Sequence, residues 1–204
     1  MNETEAPAGS LRTADLLCAL SLAADLAVGL PPEHAVRSCY IGMRIAEHLG
    51  LPPDQRADVY YAHLLMDVGC TAWTSQLAGS ILSEDIEARR QLVFSPEPNN
   101  PFAMLGWLAA YMAPDAPALT RVKRGLNFAL HGRAFARDGF RNTCEVAHRF
   151  AERLGMSAVQ EVLLSVFEQW DGGGPHELRG ELIPLTSRIV YSTRARGKLL
   201  ALAL

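Results

Sequence analysis

Apolar side chains recur at helical spacing along almost the whole chain: Leu16, Leu20, Ala23 and Ala27, then Ile41, Ile45 and Leu49, and later Val159, Val162, Val166 and Trp170. Rows spaced by three and four place one apolar face on a helix, whereas a half-buried strand would alternate every second residue, and no such alternation is present. Breakers punctuate the rows. Gly29-Leu30-Pro31-Pro32 separates the first two segments, and Gly50-Leu51-Pro52-Pro53-Asp54 gives a stop followed by a new helix start. The pattern predicts helices over residues 11–28, 33–49, 54–68, 83–93, 101–112, 116–136, 141–154, 157–170 and 184–196, an all-α bundle. Ser95-Pro96-Glu97-Pro98-Asn99-Asn100-Pro101 is the richest run of breakers and the one place where the chain would divide. Neither half carries a complete apolar core of its own, so residues 11–204 are expected to form one domain behind a disordered lead-in, residues 1–10.

Composition narrows the classes of function. With 204 residues, 49% hydrophobic and 20% charged, the chain has enough apolar material to bury a sizeable core. A formal charge of -3 gives no general basic field for nucleic-acid phosphates, so any DNA contact is expected only through a segment outside this chain. The acidic start MNETEAPAGS lacks the features of a secretory signal, and no apolar run reaches the roughly 20 residues a membrane span needs, which predicts a cytoplasmic protein without membrane contact. Cys18, Cys39, Cys70 and Cys144 form no CxxC pair and are expected to be reduced core thiols. The apolar run Lys198-Leu-Leu-Ala-Leu-Ala-Leu204 would expose a patch if solvated, which predicts packing against a partner, a homodimer being the simplest closed form, or a following domain.

Two segments carry chemistry. The first holds His34-Ala-Val-Arg37 and, further on, Tyr60-Tyr-Ala-His-Leu-Leu-Met-Asp-Val-Gly69. The second runs from Thr143-Cys-Glu-Val-Ala-His148 to Phe167-Glu-Gln-Trp-Asp-Gly-Gly-Gly-Pro175 and Leu178-Arg-Gly-Glu-Leu-Ile-Pro184. Together, over about residues 15–194, they resemble the HD-GYP branch of the HD superfamily of metal-dependent phosphohydrolases. The resemblance implies an HD-domain-like helical bundle. It also implies a metal site in which a histidine opening one helix, a His-Asp pair ending another, a histidine of the later block and a closing aspartate converge.

Most of those implied positions are altered here. His34 and Asp67 stand where the resemblance expects ligands, but Met66 replaces the histidine of the pair, Cys70 follows the Asp-Val-Gly, Thr143 precedes Cys144, Phe167 takes the later histidine and Arg194 the closing aspartate. Met, Phe and Arg do not ligate a hard or borderline cation as imidazole and carboxylate do. His34, His63 and Asp67 are the residual metal candidates; against that reading, isolated polar residues on helix faces are normally satisfied by structural hydrogen bonds. His48, His131, His148 and His176 read as surface or partly buried histidines.

The substituted positions suggest a different pocket. Met66, Cys70, Thr143 and Phe167, with Asp171 and Gly173 of the glycine loop, would line a mainly apolar cavity for a small organic ligand, or would simply fill it as core packing. The loop Asp171-Gly172-Gly173-Gly174-Pro175 reads either as a phosphate cradle or as a tight connection tied down by Glu168 and Asp171. The stretch Asp67–Thr71 is also similar to the N-terminal regions of actinobacterial LuxR-type transcription regulators. That similarity implies a ligand-sensing and oligomerisation domain without catalysis and without a cofactor. A phosphohydrolase acting on a cyclic dinucleotide with an altered ligand set, and a protein-interaction scaffold, are the competing readings.

Overall fold

A computed structural model describes residues 11–71, 79 and 101–201. Among them the order is α1 (Thr13–Val28), α2 (His34–His48), α3 (Pro53–Leu65), a 3-10 turn (Met66–Val68), α4 (Pro101–Tyr111), α5 (Ala118–Arg153), α6 (Ser157–Leu164), a second 3-10 turn (Gly180–Leu182) and α7 (Leu185–Ala201). The described residues contain helices and turns and no strand, an all-α HD-like bundle. No helix among them is long and apolar enough to cross a membrane. The lead-in over residues 1–10 and the helix expected over 83–93 lie outside the described residues, as do the side chains of the terminal apolar run.

Local chemistry sets the helix ends. α3 begins with Pro53 at its first position, where proline's missing N–H costs nothing, and Asp54 follows in the first turn beside the positive end of the helix dipole. α1 closes on Gly29 in the left-handed conformation (φ 81°), whose N–H returns to the last carbonyls. Nothing on Glu33 caps α2; the carboxyl of Asp25, one turn before the end of α1, instead accepts from the Ala35 N–H at 3.2 Å and from the His34 N–H. This ties the turn between the first two helices to the bundle.

α3 is the central helix, packed by α1, α2, α6 and α7, with Val59, Ala62, His63, Leu64 and Leu65 all buried. Gly42 of α2 lies so close to the His63 ring that a Cβ there would overlap it, so the α2–α3 crossing depends on that glycine. The main core gathers Leu17, Leu51, Val59, Leu65, Met66, Val162, Phe167 and Val190 with their neighbours. A second cluster joins α4 to the first half of α5, where Trp107 and Phe128 stack at 5.9 Å beside Leu108 and Met112.

Two expected helix boundaries are revised. The segments expected at 116–136 and 141–154 are one 36-residue helix, α5, because Gly139 is buried on a helix face and a lone glycine costs only about 1 kcal/mol there. The helix expected over 157–170 stops at Leu164, where the Ser165 hydroxyl bonds the Glu161 carbonyl and the Ser187 hydroxyl; Val166 and Phe167 continue the apolar row from a turn.

Candidate functional site

The end of α3 and its 3-10 turn carry Met66, Asp67 and Cys70 into the bundle, where α5 brings Thr143, the turn after α6 brings Phe167, and α7 brings Thr193 and Arg194. Their relative exposures are 0% for Met66, 1% for Asp67, 8% for Cys70, 1% for Thr143, 4% for Phe167 and 7% for Arg194. Gly69 permits the junction, because a Cβ there would collide with the Thr143 carbonyl. Met66, Cys70, Thr143 and Phe167 thus sit together in the interior, and the Cys70 thiol bonds both Asp67, at 3.5 Å, and the Thr143 side chain. Burial foremost, then the Asp67 charge, pushes that thiol up to about 12, so it is protonated at neutral pH.

Asp67 is held from the opposite helix. Arg194 donates to its Oδ1 through Nη2 at 2.7 Å and through Nε at 3.1 Å, with a further Nε contact to Oδ2 at 3.4 Å. Burial works against the charged guanidinium, but the attraction of Asp67 outweighs it and holds the Arg194 pKa above its ordinary value. The face of Phe167 lies 5.4 Å from the guanidinium carbon and adds a cation–π contact. Phe140 of α5 stacks behind Phe167 at 4.9 Å.

His63 is one turn back on α3. Its Nδ1 donates to the Val59 carbonyl at 2.7 Å, which leaves Nε2 to accept from the Thr193 hydroxyl at 2.7 Å. Desolvation lowers its pKa to about 4, so the ring is neutral and both nitrogens are engaged. His34 is buried at the start of α2, beside Asp25, whose pKa burial raises to about 7 with a further push from Asp67.

The glycine loop lies apart from this interior. Asp171 and Gly173 are exposed, and the Asp171 carboxylate accepts from the Gly173 N–H at 3.0 Å. Glu168, buried at 4%, accepts from the N–H groups of His176 at 2.6 Å and Leu178 at 2.9 Å, while Arg141 of α5 donates to the Pro175 carbonyl. These bonds account for the loop's shape as a tied connection. Glu168→Ala is expected to lower stability by about 2 kcal/mol, since it strips two backbone N–H groups of a charged acceptor; denaturant melts would show it, and an unchanged midpoint would remove Glu168 from this role. A cavity of about 150 Å³ opens elsewhere, on the first half of α5 between Arg124, Phe128, His131 and Phe135.

A divalent metal, implied by the sequence resemblance, does not fit the residues present. The oxygens of Asp67 face Arg194, the His63 nitrogens face Val59 and Thr193, and Met66 and Phe167 offer no suitable donor. Among the described residues, no group of three or more His, Cys, Asp or Glu is placed to hold a metal ion.

Comparison with known proteins places this bundle. A 3′3′-cGAMP-specific phosphodiesterase of Vibrio cholerae is 27% identical over 177 residues, covering 86% of this chain and 38% of that protein. The crystal structure of a cyclic GMP-AMP-specific phosphodiesterase of V. cholerae superposes with a TM-score of 0.61 and 25% identity, over 95% of this chain and 44% of that one. The likeness supports an all-α, HD-like bundle for this chain. No family model matches it. The HD domain spans less than half the length of either relative.

These relatives correct the expectation of a non-catalytic sensing domain from a transcription regulator: the proteins to which nearly the whole HD domain is similar are phosphodiesterases. The physical reason is that lost ligands describe one cluster of side chains. They do not describe the rest of the chain, which is similar to phosphodiesterases along nearly its whole length.

One functional residue escaped sequence reasoning. Arg194 reads there only as a missing aspartate, yet it is the partner of Asp67. The available signal was charge: where a carboxylate survives in a dismantled site, a cation at another former ligand position is its natural counter-charge.

Proposed function

We propose that this HD domain serves a phosphodiesterase acting on a cyclic dinucleotide of the 3′3′-cGAMP class. The observation that carries the reading is similarity over 86% of the chain to a phosphodiesterase of that specificity, supported by the same bundle in a solved cyclic GMP-AMP phosphodiesterase. Hydrolysis of a phosphodiester needs a water made nucleophilic and a charge-stabilised phosphoryl group, tasks that two divalent metals perform in many such enzymes. The cluster around Asp67 does not supply those metals, so no step is assigned to it. This bundle contributes a helical frame with the buried Asp67–Arg194 pair at its centre.

Incubating the protein with 3′3′-cGAMP, cyclic di-GMP and a linear dinucleotide in the presence of Mn²⁺, with products resolved by chromatography, tests this directly. Turnover of 3′3′-cGAMP to a linear product is the expected result. A protein that neither binds nor turns over any of these cyclic dinucleotides would remove the reading.

A further inference from the structure

We infer that Arg194 is a built-in cation standing where a metal would otherwise neutralise Asp67, so that this HD domain folds without metal and a single charge reversal, Arg194→Asp, would open a cation site. The inference rests on the geometry at the junction of α3 and α7 and is independent of the substrate reading; either can fail without the other.

Three observations lead there. First, Asp67 is 1% exposed, and a carboxylate so placed requires a counter-charge. The counter-charge it has is a guanidinium 2.7 Å away, itself 7% exposed and contributed by a helix 127 residues further along the chain. Second, the surroundings suit a fixed organic cation: the Phe167 ring faces the guanidinium at 5.4 Å, and the Cys70 thiol donates to Asp67 at 3.5 Å beside it. Third, the neighbouring imidazole cannot turn inward as a ligand without breaking its bonds to Val59 and Thr193. A guanidinium differs from a divalent ion in one decisive respect: it is covalently part of the chain and cannot dissociate. The α3–α7 junction therefore holds at any metal concentration and in the presence of chelator.

The reverse experiment follows from the same geometry. In Arg194→Asp a carboxylate would stand on α7 facing Asp67 but, being shorter than the guanidinium, would not touch it, leaving between them the space that Arg194 now fills, with the Cys70 thiol 3.5 Å from Asp67 Oδ1. Two carboxylates and a sulfur within reach make a donor set that suits Zn²⁺ and, through the oxygens, Mn²⁺.

The test uses elemental analysis and thermal melts of the whole chain. The wild-type protein is expected to purify with far less than one metal per chain and to melt at the same temperature in EDTA, Zn²⁺ or Mn²⁺. Arg194→Asp is expected to melt lower than wild type in EDTA and to gain about 5–10 °C at a hundredfold excess of Zn²⁺ over its dissociation constant. If the variant accumulates only with Zn²⁺ in the medium, that rescue is the same result. Stoichiometric metal in the wild type, or a wild-type melt that EDTA lowers, overturns the inference. So does a folded Arg194→Asp variant indifferent to both ions. The wild-type arm decides alone if the variant cannot be obtained.

Discussion

Arg194→Met is expected to lower the melting temperature by roughly 10 °C, and the loss should be mostly recovered when Asp67→Leu is added. Removing one partner of a buried ion pair leaves the other charge without compensation, at a cost of about 3–5 kcal/mol, whereas replacing both partners by apolar groups of similar volume is often neutral. At about 2–4 °C per kcal/mol for a domain of this size, the single change reads as a large shift. Asp67→Leu alone should be as damaging, because it strands a buried guanidinium whose pKa lies above its ordinary value. A double-mutant cycle in urea measures the coupling. Additive losses, with the double variant as weak as the sum of the singles, would show that Arg194 and Asp67 do not act as a pair.

Acidity acts on the bundle through two groups of opposite sign, Asp25 on α1 and His63 on α3. Asp25 has a native pKa of about 7 against an ordinary 3.8, so between these values the native state holds a proton that the unfolded state has lost, and stability falls as pH rises. His63 has a native pKa of about 4 against 6.5, so over that interval the unfolded state binds a proton that the native state refuses, and stability falls as pH drops. At 1.36 kcal/mol per pH unit, the Asp25 slope is worth roughly 4 kcal/mol across its window and the His63 slope roughly 3 kcal/mol. They largely cancel between pH 4 and 6.5, so these two groups leave the wild-type profile nearly level there. Asp25→Asn should uncover the His63 slope, giving a protein that loses about 3 kcal/mol on acidification from pH 6.5 to 4 and exceeds wild type at pH 8. Urea midpoints at half-unit intervals would show it. Parallel profiles for the two proteins would mean that Asp25 does not titrate as its burial requires.

How far the sequence reaches differs between the frame and its centre. The apolar rows through Leu16 and Ile41 place α1 and α2 within two residues of their observed ends, since proline and glycine at 29–32 and 50–53 act locally on the backbone. α5 is read as two helices although no proline interrupts it, because a buried Gly139 is indistinguishable in sequence from a helix stop. The end of α6 is missed because Val166 and Phe167 keep helical spacing while belonging to a turn; a Ser165 hydroxyl bonded across to Ser187 has no sequence signature. At the site, the identities of Met66, Thr143, Phe167 and Arg194 announce a lost ligand set. Which of them touch does not follow, because Asp67 and Arg194 meet only through the packing of α3 against α7. For the same reason, Asp171 and Gly173 are grouped with the interior in sequence but stand at the exposed loop.

The proposed hydrolysis of a cyclic dinucleotide needs neither Asp67 nor Arg194, which hold each other in a buried ion pair. The most direct measurement is the rate of 3′3′-cGAMP hydrolysis by the protein with Mn²⁺, compared between wild type and the double variant Asp67→Leu with Arg194→Met at a temperature where both are folded. Measurable wild-type turnover, retained by the double variant within about twofold, is the predicted result. Turnover that disappears with the pair would place the reaction at Asp67 and contradict the account.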